Sequence, residues 1–298
     1  MTNQIKKKLL WYASSIIFLA SCGEKSIERG EVNAVIEIDS AKANIVNISG
    51  ELFSIPSPIQ TSLLIQNSKA AYRPDLLSNV EGYKQHQTNS AKALNLGVFG
   101  TDMAYSSIYE DGQKALEYFK AVNYLANDLG ISGSISPALI KRLGANADNP
   151  DSLLTLTGRF YEEGDAYLKK NERYDIASFI ILGGWIESSL LTSKSALDRN
   201  EVAKIRLAEQ QASSATINEI LDKTTGDEFQ SSDLATVLDS IADAFAQVES
   251  SYAYTAPIIN PDTKTTRLTS RTEHSMSDSL LTSIHQLLVS AKAKISEQ

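Results

Sequence analysis

Cysteine is almost absent from this chain, with one residue, Cys22, among 298. A single thiol cannot form an intramolecular disulfide, so the fold rests on packing and hydrogen bonds alone. Histidine is nearly as scarce: His86, His274 and His285 are the full set. None has a glutamate three residues before it, which excludes the Glu-x-x-His pairs that hold two metal ions in ferritin-like bundles. His-Glu-x-x-His, Gly-x-Ser-x-Gly, Ser-x-x-Lys and the phosphate-binding Gly-x-x-x-x-Gly-Lys loop are all missing. No catalytic residue, metal ligand or cofactor site is expected on these grounds. Basic charge is also short, with 28 Lys and Arg against 36 Asp and Glu. Nucleic acid is therefore an unsuitable partner, since binding it requires clustered cations that displace counterions.

What is present begins at the N-terminus. Lys6, Lys7 and Lys8 precede an apolar run, Leu9–Ala20, that ends in small residues, which is the layout of a secretory signal peptide. The run is short of the roughly 20 apolar residues that span a bilayer. Leu19-Ala20-Ser21-Cys22 resembles the lipobox of bacterial lipoproteins. The resemblance implies that diacylglycerol is joined to the Cys22 thiol, that the chain is cut before it, and that its new amino group is acylated. Several acyl chains give stable anchoring where one is marginal. Position 23 is Gly, whereas an Asp there in such lipoproteins resembles an inner-membrane retention signal; the outer membrane is the expected address. Gly23–Gly30 lacks the dense acidic run of a surface-export tag, so the periplasmic face is favoured. Without Met1–Ser21, which holds three lysines and no acid, 25 basic residues face 36 acidic ones and the net charge falls from −8 to −11.

Residues 22–55 read as a tether, with one alternating stretch at Ala34–Ile38, and 56–298 as a helical domain. At its start Ser57 is a candidate N-cap, Pro58 suits the first helical position and Gln60 completes a capping box. Beyond it, apolar residues recur at helical spacing. Lys114–Gly130 aligns Leu116, Phe119, Val122, Leu125 and Leu129, with Asp111 as N-cap and Gly130 as terminator. Asp151–Lys170, Glu201–Lys223, Asp233–Ser251 and Glu273–Ser296 each carry one such stripe. Breaks fall at Ser132–Pro137, Gly144–Pro150 and Ala256–Thr269, where Gly, Pro, Asn and Thr cluster. The last, APIINPDTKTTRLTS, is long for a bundle connection and is a candidate functional or partner-ordered loop. The expectation is an all-α protein of about nine helices, arranged as a multi-helix bundle or stacked helical hairpins.

Two of those helices lack a polar face and belong in the middle. Thr88–Tyr109 is apolar nearly all round, and Tyr174–Ser193 contains SFIILGGWIESSLL, whose only charge is Glu187. Both carry interior glycines, Gly97 and Gly100 in the first and Gly183 and Gly184 in the second. Each glycine costs about 1 kcal/mol relative to Ala in a helix, so either close helix approach or a ligand cavity must offset it. Asp102 and Glu187 stand among apolar neighbours, where a carboxylate has to be paired, hydrogen-bonded or protonated. With Asn95 and Tyr105 they form a candidate polar seam; Arg159, Arg173, Tyr105 and Tyr109 are candidate partners for Glu187.

FSIPSPIQ together with ALNLGVFGTDMAYSSIYEDGQKALEYFKAV resembles a stretch of uncharacterised bacterial lipoproteins of similar length. That likeness covers about a quarter of the chain and implies a shared helical fold without an activity. Two functional expectations follow. The first is a membrane-anchored helical scaffold or interaction module of the cell envelope, with a protein partner there. The second is a small-ligand binder or enzyme that uses the seam of Asn95, Asp102, Tyr105 and Glu187.

Overall fold

Helices with one apolar stripe fold by burying those stripes together, and two helices apolar on every side have to be covered all round. The computed structural model describes residues 44–48, 51–55, 57–131, 136–146, 149–262 and 264–297. All of them fall in one unit, Ser40–Gln298. Met1–Ser21 and Cys22 lie outside the described residues, as does Ala34–Ile38. In chain order the elements are β1 (Asn44–Ile48), β2 (Glu51–Ile55), α1 (Pro58–Asn67), α2 (Asn89–Ile108), α3 (Gly112–Asp128), α4 (Pro137–Ala145) and α5 (Pro150–Lys170). There follow α6 (Tyr174–Leu197), α7 (Glu201–Ala208), α8 (Gln210–Thr224), α9 (Asp227–Gln230), α10 (Asp233–Ala246), β3 (Glu249–Ala253), β4 (Ile258–Asn260), β5 (Thr265–Arg267), β6 (Arg271–Ser275) and α11 (Asp278–Ser296). The fold is predominantly helical, a bundle built around α2 and α6.

The helix ends form where the sequence signals lie. Thr88 Oγ1 accepts from the Ala91 N–H at 3.1 Å to start α2, and Asp111 Oδ1 accepts from the Lys114 N–H at 3.1 Å to start α3. Helix α3 ends in a left-handed glycine, Gly130 at φ 72°, while the Ile131 N–H donates to the Ala126 carbonyl at 2.8 Å. Ser57 is the N-cap of α1, but its side chain makes no capping hydrogen bond.

Helices α2 and α6 cross with their backbones in contact. A Cβ on Gly97 would stand 2.1 Å from the Ile180 carbonyl oxygen, and one on Gly183 would stand 2.1 Å from that of Leu94. Gly184 adds a shelf for Thr101, whose hydroxyl is within reach of the Gly97 carbonyl at 3.1 Å and the Gly184 carbonyl at 3.3 Å. Gly100 is buried on α2. Around this pair pack α1, α3, α5, α7, α8 and α11, with α10 outside α8 and α11, and α4 outside α5. Helix α6 is 24 residues and apolar enough to cross a membrane by length and composition, longer than its apolar run alone promised. Within the bundle 89 % of its most apolar window is buried.

Three corrections to the sequence reading emerge. Asn44–Ile48 and Glu51–Ile55 pair as an antiparallel ladder, β1 with β2, and Ile55 is buried in the core, so structured residues lie within the stretch 22–55 read as a tether. The stretch between α10 and α11 is neither helix nor plain loop. Strands β3 and β6 pair from Glu249↔Ser275 to Ala253↔Arg271, and beyond them β4 and β5 pair from Ile258↔Arg267 to Asn260↔Thr265. The helices expected over Asp233–Ser251 and Glu273–Ser296 are shortened accordingly. The described residues contain eleven α-helices rather than about nine. One extra arises at Glu209, which bends Glu201–Lys223 into α7 and α8 while keeping helical dihedrals, φ −60° and ψ −18°.

The crossing gives a sharp expectation for stability. Gly97→Ala and Gly183→Ala each force two backbones apart and lower unfolding free energy by about 3 kcal/mol. Gly158→Ala, in α5 with nothing within 4 Å of the added Cβ, raises it by about 1 kcal/mol. Urea denaturation of the three variants checks both; a Gly97→Ala protein as stable as wild type contradicts the backbone contact.

Candidate functional site

The crossing also decides the environment of the acids. Asp102 of α2 and Glu187 of α6 are both at 0 % exposure. Glu187 Oε1 accepts from Lys292 Nζ of α11 at 2.7 Å, and the same ammonium donates to the Leu76 carbonyl at 2.7 Å. Asp102 Oδ2 accepts from the Ser78 N–H at 2.9 Å. The Tyr118 hydroxyl of α3 donates to the Ser78 carbonyl at 2.7 Å, which fixes the 76–78 segment over the acids.

Two carboxyl groups therefore face one ammonium. Burial, and next the Glu187 charge, push the Asp102 carboxyl well above the usual carboxylate range, against the opposing pull of Lys292 and the Ser78 N–H. The Asp102 carboxyl therefore keeps its proton to higher pH than a free one, and Lys292 pairs with Glu187. Asp102 Oδ1 and Glu187 Oε2 are sealed from water with no other hydrogen-bond partner. A proton on Asp102, donated to Glu187, satisfies both oxygens. Burial also raises Tyr118, and the nearby Asp102 and Glu187 add to it, so this hydroxyl stays a donor.

The four residues of the expected seam separate into three places. Asp102 and Glu187 meet. Asn95 lies two turns away and donates through Nδ2 to the Ala91 carbonyl at 2.9 Å and the Ile295 carbonyl at 3.3 Å, tying α2 to the end of α11. Tyr105 accepts from the Arg73 N–H at 3.2 Å and packs at a tilt against the rings of Tyr72 and Tyr109, at centroid distances of 5.5 and 4.7 Å. Tyr72 donates to Asp111 Oδ2 at 3.0 Å, and burial is the main reason its hydroxyl is pushed up to about 12.

Glu187 is paired by Lys292, not by Arg159, Arg173, Tyr105 or Tyr109. The sequence places Lys292 beside a buried stripe without naming its partner. It stands four residues after Leu288 and three before Ile295, in register with the buried stripe of α11. The group ties α2, α6 and α11 together, and both acids are enclosed. At Gly97 and Gly183 the space a side chain would take is filled by the backbone of the other helix, and at Gly184 mainly by Thr101 and Pro58. Among the described residues no group of three or more His, Cys, Asp and Glu is placed to hold a metal ion.

The surface offers a different candidate. Between buried Val248 and Met276 the chain leaves the bundle as an arm, with Tyr252, Tyr254, Ile258, Ile259 and Leu268 exposed on it, Leu268 at 81 %. Its foot is held by Gln211 of α8, which donates to the Val248 carbonyl at 2.9 Å and accepts from the Ser250 hydroxyl at 2.7 Å. The arm coincides with the segment expected to be functional, though as paired strands. Its β-forming Thr, Tyr and Ile residues on either side of Asn260-Pro261-Asp262 carried that signal.

No protein-family model, characterised protein or solved structure matches the chain.

The acid pair makes stability fall with rising pH. Below the ordinary aspartate value of 3.8 the carboxyl is protonated in both folded and unfolded chains. Above it the unfolded chain releases the proton that the folded chain keeps, and stability declines by up to about 1.4 kcal/mol per pH unit until Asp102 ionises in the fold. Asp102→Asn reproduces the protonated acid and removes this decline. Melts of the two proteins from pH 4 upward check it; parallel curves contradict the shared proton.

Proposed function

We propose that the chain is a lipid-anchored helical protein of the bacterial cell envelope that acts as a scaffold or interaction module. The observation that carries this reading is a contrast within the fold. At the α2–α6 crossing Gly97 and Gly183 meet backbone, Asp102 and Glu187 are buried and Lys292 pairs with Glu187, whereas large apolar side chains are displayed on an arm outside it. An interior of this kind gives rigidity, and an exposed apolar group of this kind marks contact with something else. The anchor is proposed from Lys6–Lys8, the Leu9–Ala20 run and the Leu19–Cys22 lipobox. Gly23, and the absence of a dense acidic run in Gly23–Gly30, which has only Glu24 and Glu28, support an outer-membrane address on the periplasmic face. The scaffold reading is preferred to a ligand-binding or enzymatic use of the seam because Asn95 and Tyr105 stand apart from Asp102 and Glu187, and the acids are buried.

The anchor is tested by metabolic labelling with a fatty-acid analogue and by fractionation in high salt. The wild type takes up label and stays with membranes, and Cys22→Ser does neither. Equal label in the two proteins contradicts the lipid at Cys22.

A further inference from the structure

The arm between α10 and α11 is a two-stranded ribbon whose apolar side chains face both ways. Successive residues of a strand point to opposite faces, so Ile258 and Ile259 of β4 cannot be covered from one side. A protein partner laid on either face leaves one of them in water. An apolar medium that surrounds the ribbon covers both. Size favours the same choice, because a ladder three residues deep is too narrow for the ~800 Å² per partner of a stable protein interface.

Charge says which medium. The protein is acidic throughout, at −8 overall, and Glu209–Glu249 carries nine acids against Lys223 alone. The outer arm reverses this: from Tyr252 to Arg271 it holds Lys264, Arg267 and Arg271 against Asp262. Arg271 is occupied by Glu273 at 2.7 Å, whereas Lys264 and Arg267 have no ion pair among the described residues. Arg267 stands directly across from Ile258, so a cation flanks the apolar tip. Tyr252 and Tyr254 follow toward the body, and tyrosine is the residue that settles at the depth of lipid headgroups. Aliphatic tip, flanking cations and tyrosine collar match an interfacial insertion into anionic lipid.

The geometry points to the arm Glu249–Ser275 as a membrane-contact device that enters an anionic phospholipid surface through Ile258, Ile259 and Leu268, with Lys264 and Arg267 on the headgroups. This rests on the envelope reading above and names the surface that the arm meets. Together with the N-terminal lipid it gives a second attachment point, which orients the bundle rather than leaving it on a swivel.

The test uses the chain from residue 22 with Cys22→Ser, which retains every described element and carries no lipid. Flotation is measured with vesicles of equal parts phosphatidylcholine and phosphatidylglycerol, and with phosphatidylcholine alone. Binding to the anionic vesicles is expected at least tenfold tighter than to the neutral ones, and to weaken with salt. Ile258→Ser, Ile259→Ser and Leu268→Ser combined lower it at least tenfold, and Lys264→Gln or Arg267→Gln about fivefold each. Circular dichroism confirms that these surface variants keep the helical fold. Failure of the wild type to bind, equal binding to both vesicles, or a triple variant that binds like wild type overturns the proposal. A lipid-free wild type that sediments as an oligomer while the triple variant is monomeric overturns it in favour of a second copy on the arm. Because this chain lacks the lipid, vesicle binding that persists while fatty-acid label is absent from Cys22 overturns the anchor alone.

Discussion

The backbone contact between α2 and α6 is the constraint on which the rest of the structure depends. Gly97 and Gly183 let the Ile180 and Leu94 carbonyls approach to distances that any side chain would forbid. Helices that close present long apolar flanks with nothing between them, and the remaining helices are arranged to cover those flanks. The glycine cost, about 1 kcal/mol each in a helix interior, is offset by the packing that the approach permits. The contact also shuts the volume in which a ligand pocket between these helices would have formed.

Electrostatics follows from the same geometry. Asp102 lies five residues after Gly97 and Glu187 four after Gly183, so the crossing brings both acids into one enclosed spot. Two buried carboxylates cannot both stay ionised beside a single cation. One takes a proton and the other takes Lys292, and that lysine also reaches the Leu76 carbonyl. In this way α11, the last helix of the chain, is pinned over the first contact of the core, and the 76–78 segment is pinned with it. Asn95 adds a second tie, to the Ile295 carbonyl at the far end of the same helix.

Legibility in the sequence followed the range of the interactions. The cap at Asp111 and the glycine stop at Gly130 are local, and each stands where composition placed it, whereas Ser57 precedes α1 without a side-chain capping bond. The all-round apolarity of α2 and α6 is a property of one segment and marked them as central. The burial of Glu187 was legible for the same reason, but its partner is 105 residues away and no local rule selects it. The arm was misread in kind: its outer strands are three residues long, too short for alternation to stand out from a Thr-rich loop. The bend at Glu209 has no Gly or Pro to announce it and follows from how α7 and α8 pack.

The proposed function divides the labour between a bundle as frame and an exposed ribbon as contact. The central claim is that Lys292 and Glu187 act as one unit that locks α11 onto the α2–α6 crossing. A double-mutant cycle with Glu187→Gln and Lys292→Gln, read by urea unfolding at pH 7, tests it most directly. The account predicts that each single variant loses roughly 3 kcal/mol and that the two losses overlap by about 2 kcal/mol, because either change alone leaves the other group stranded. Losses that simply add would contradict the lock.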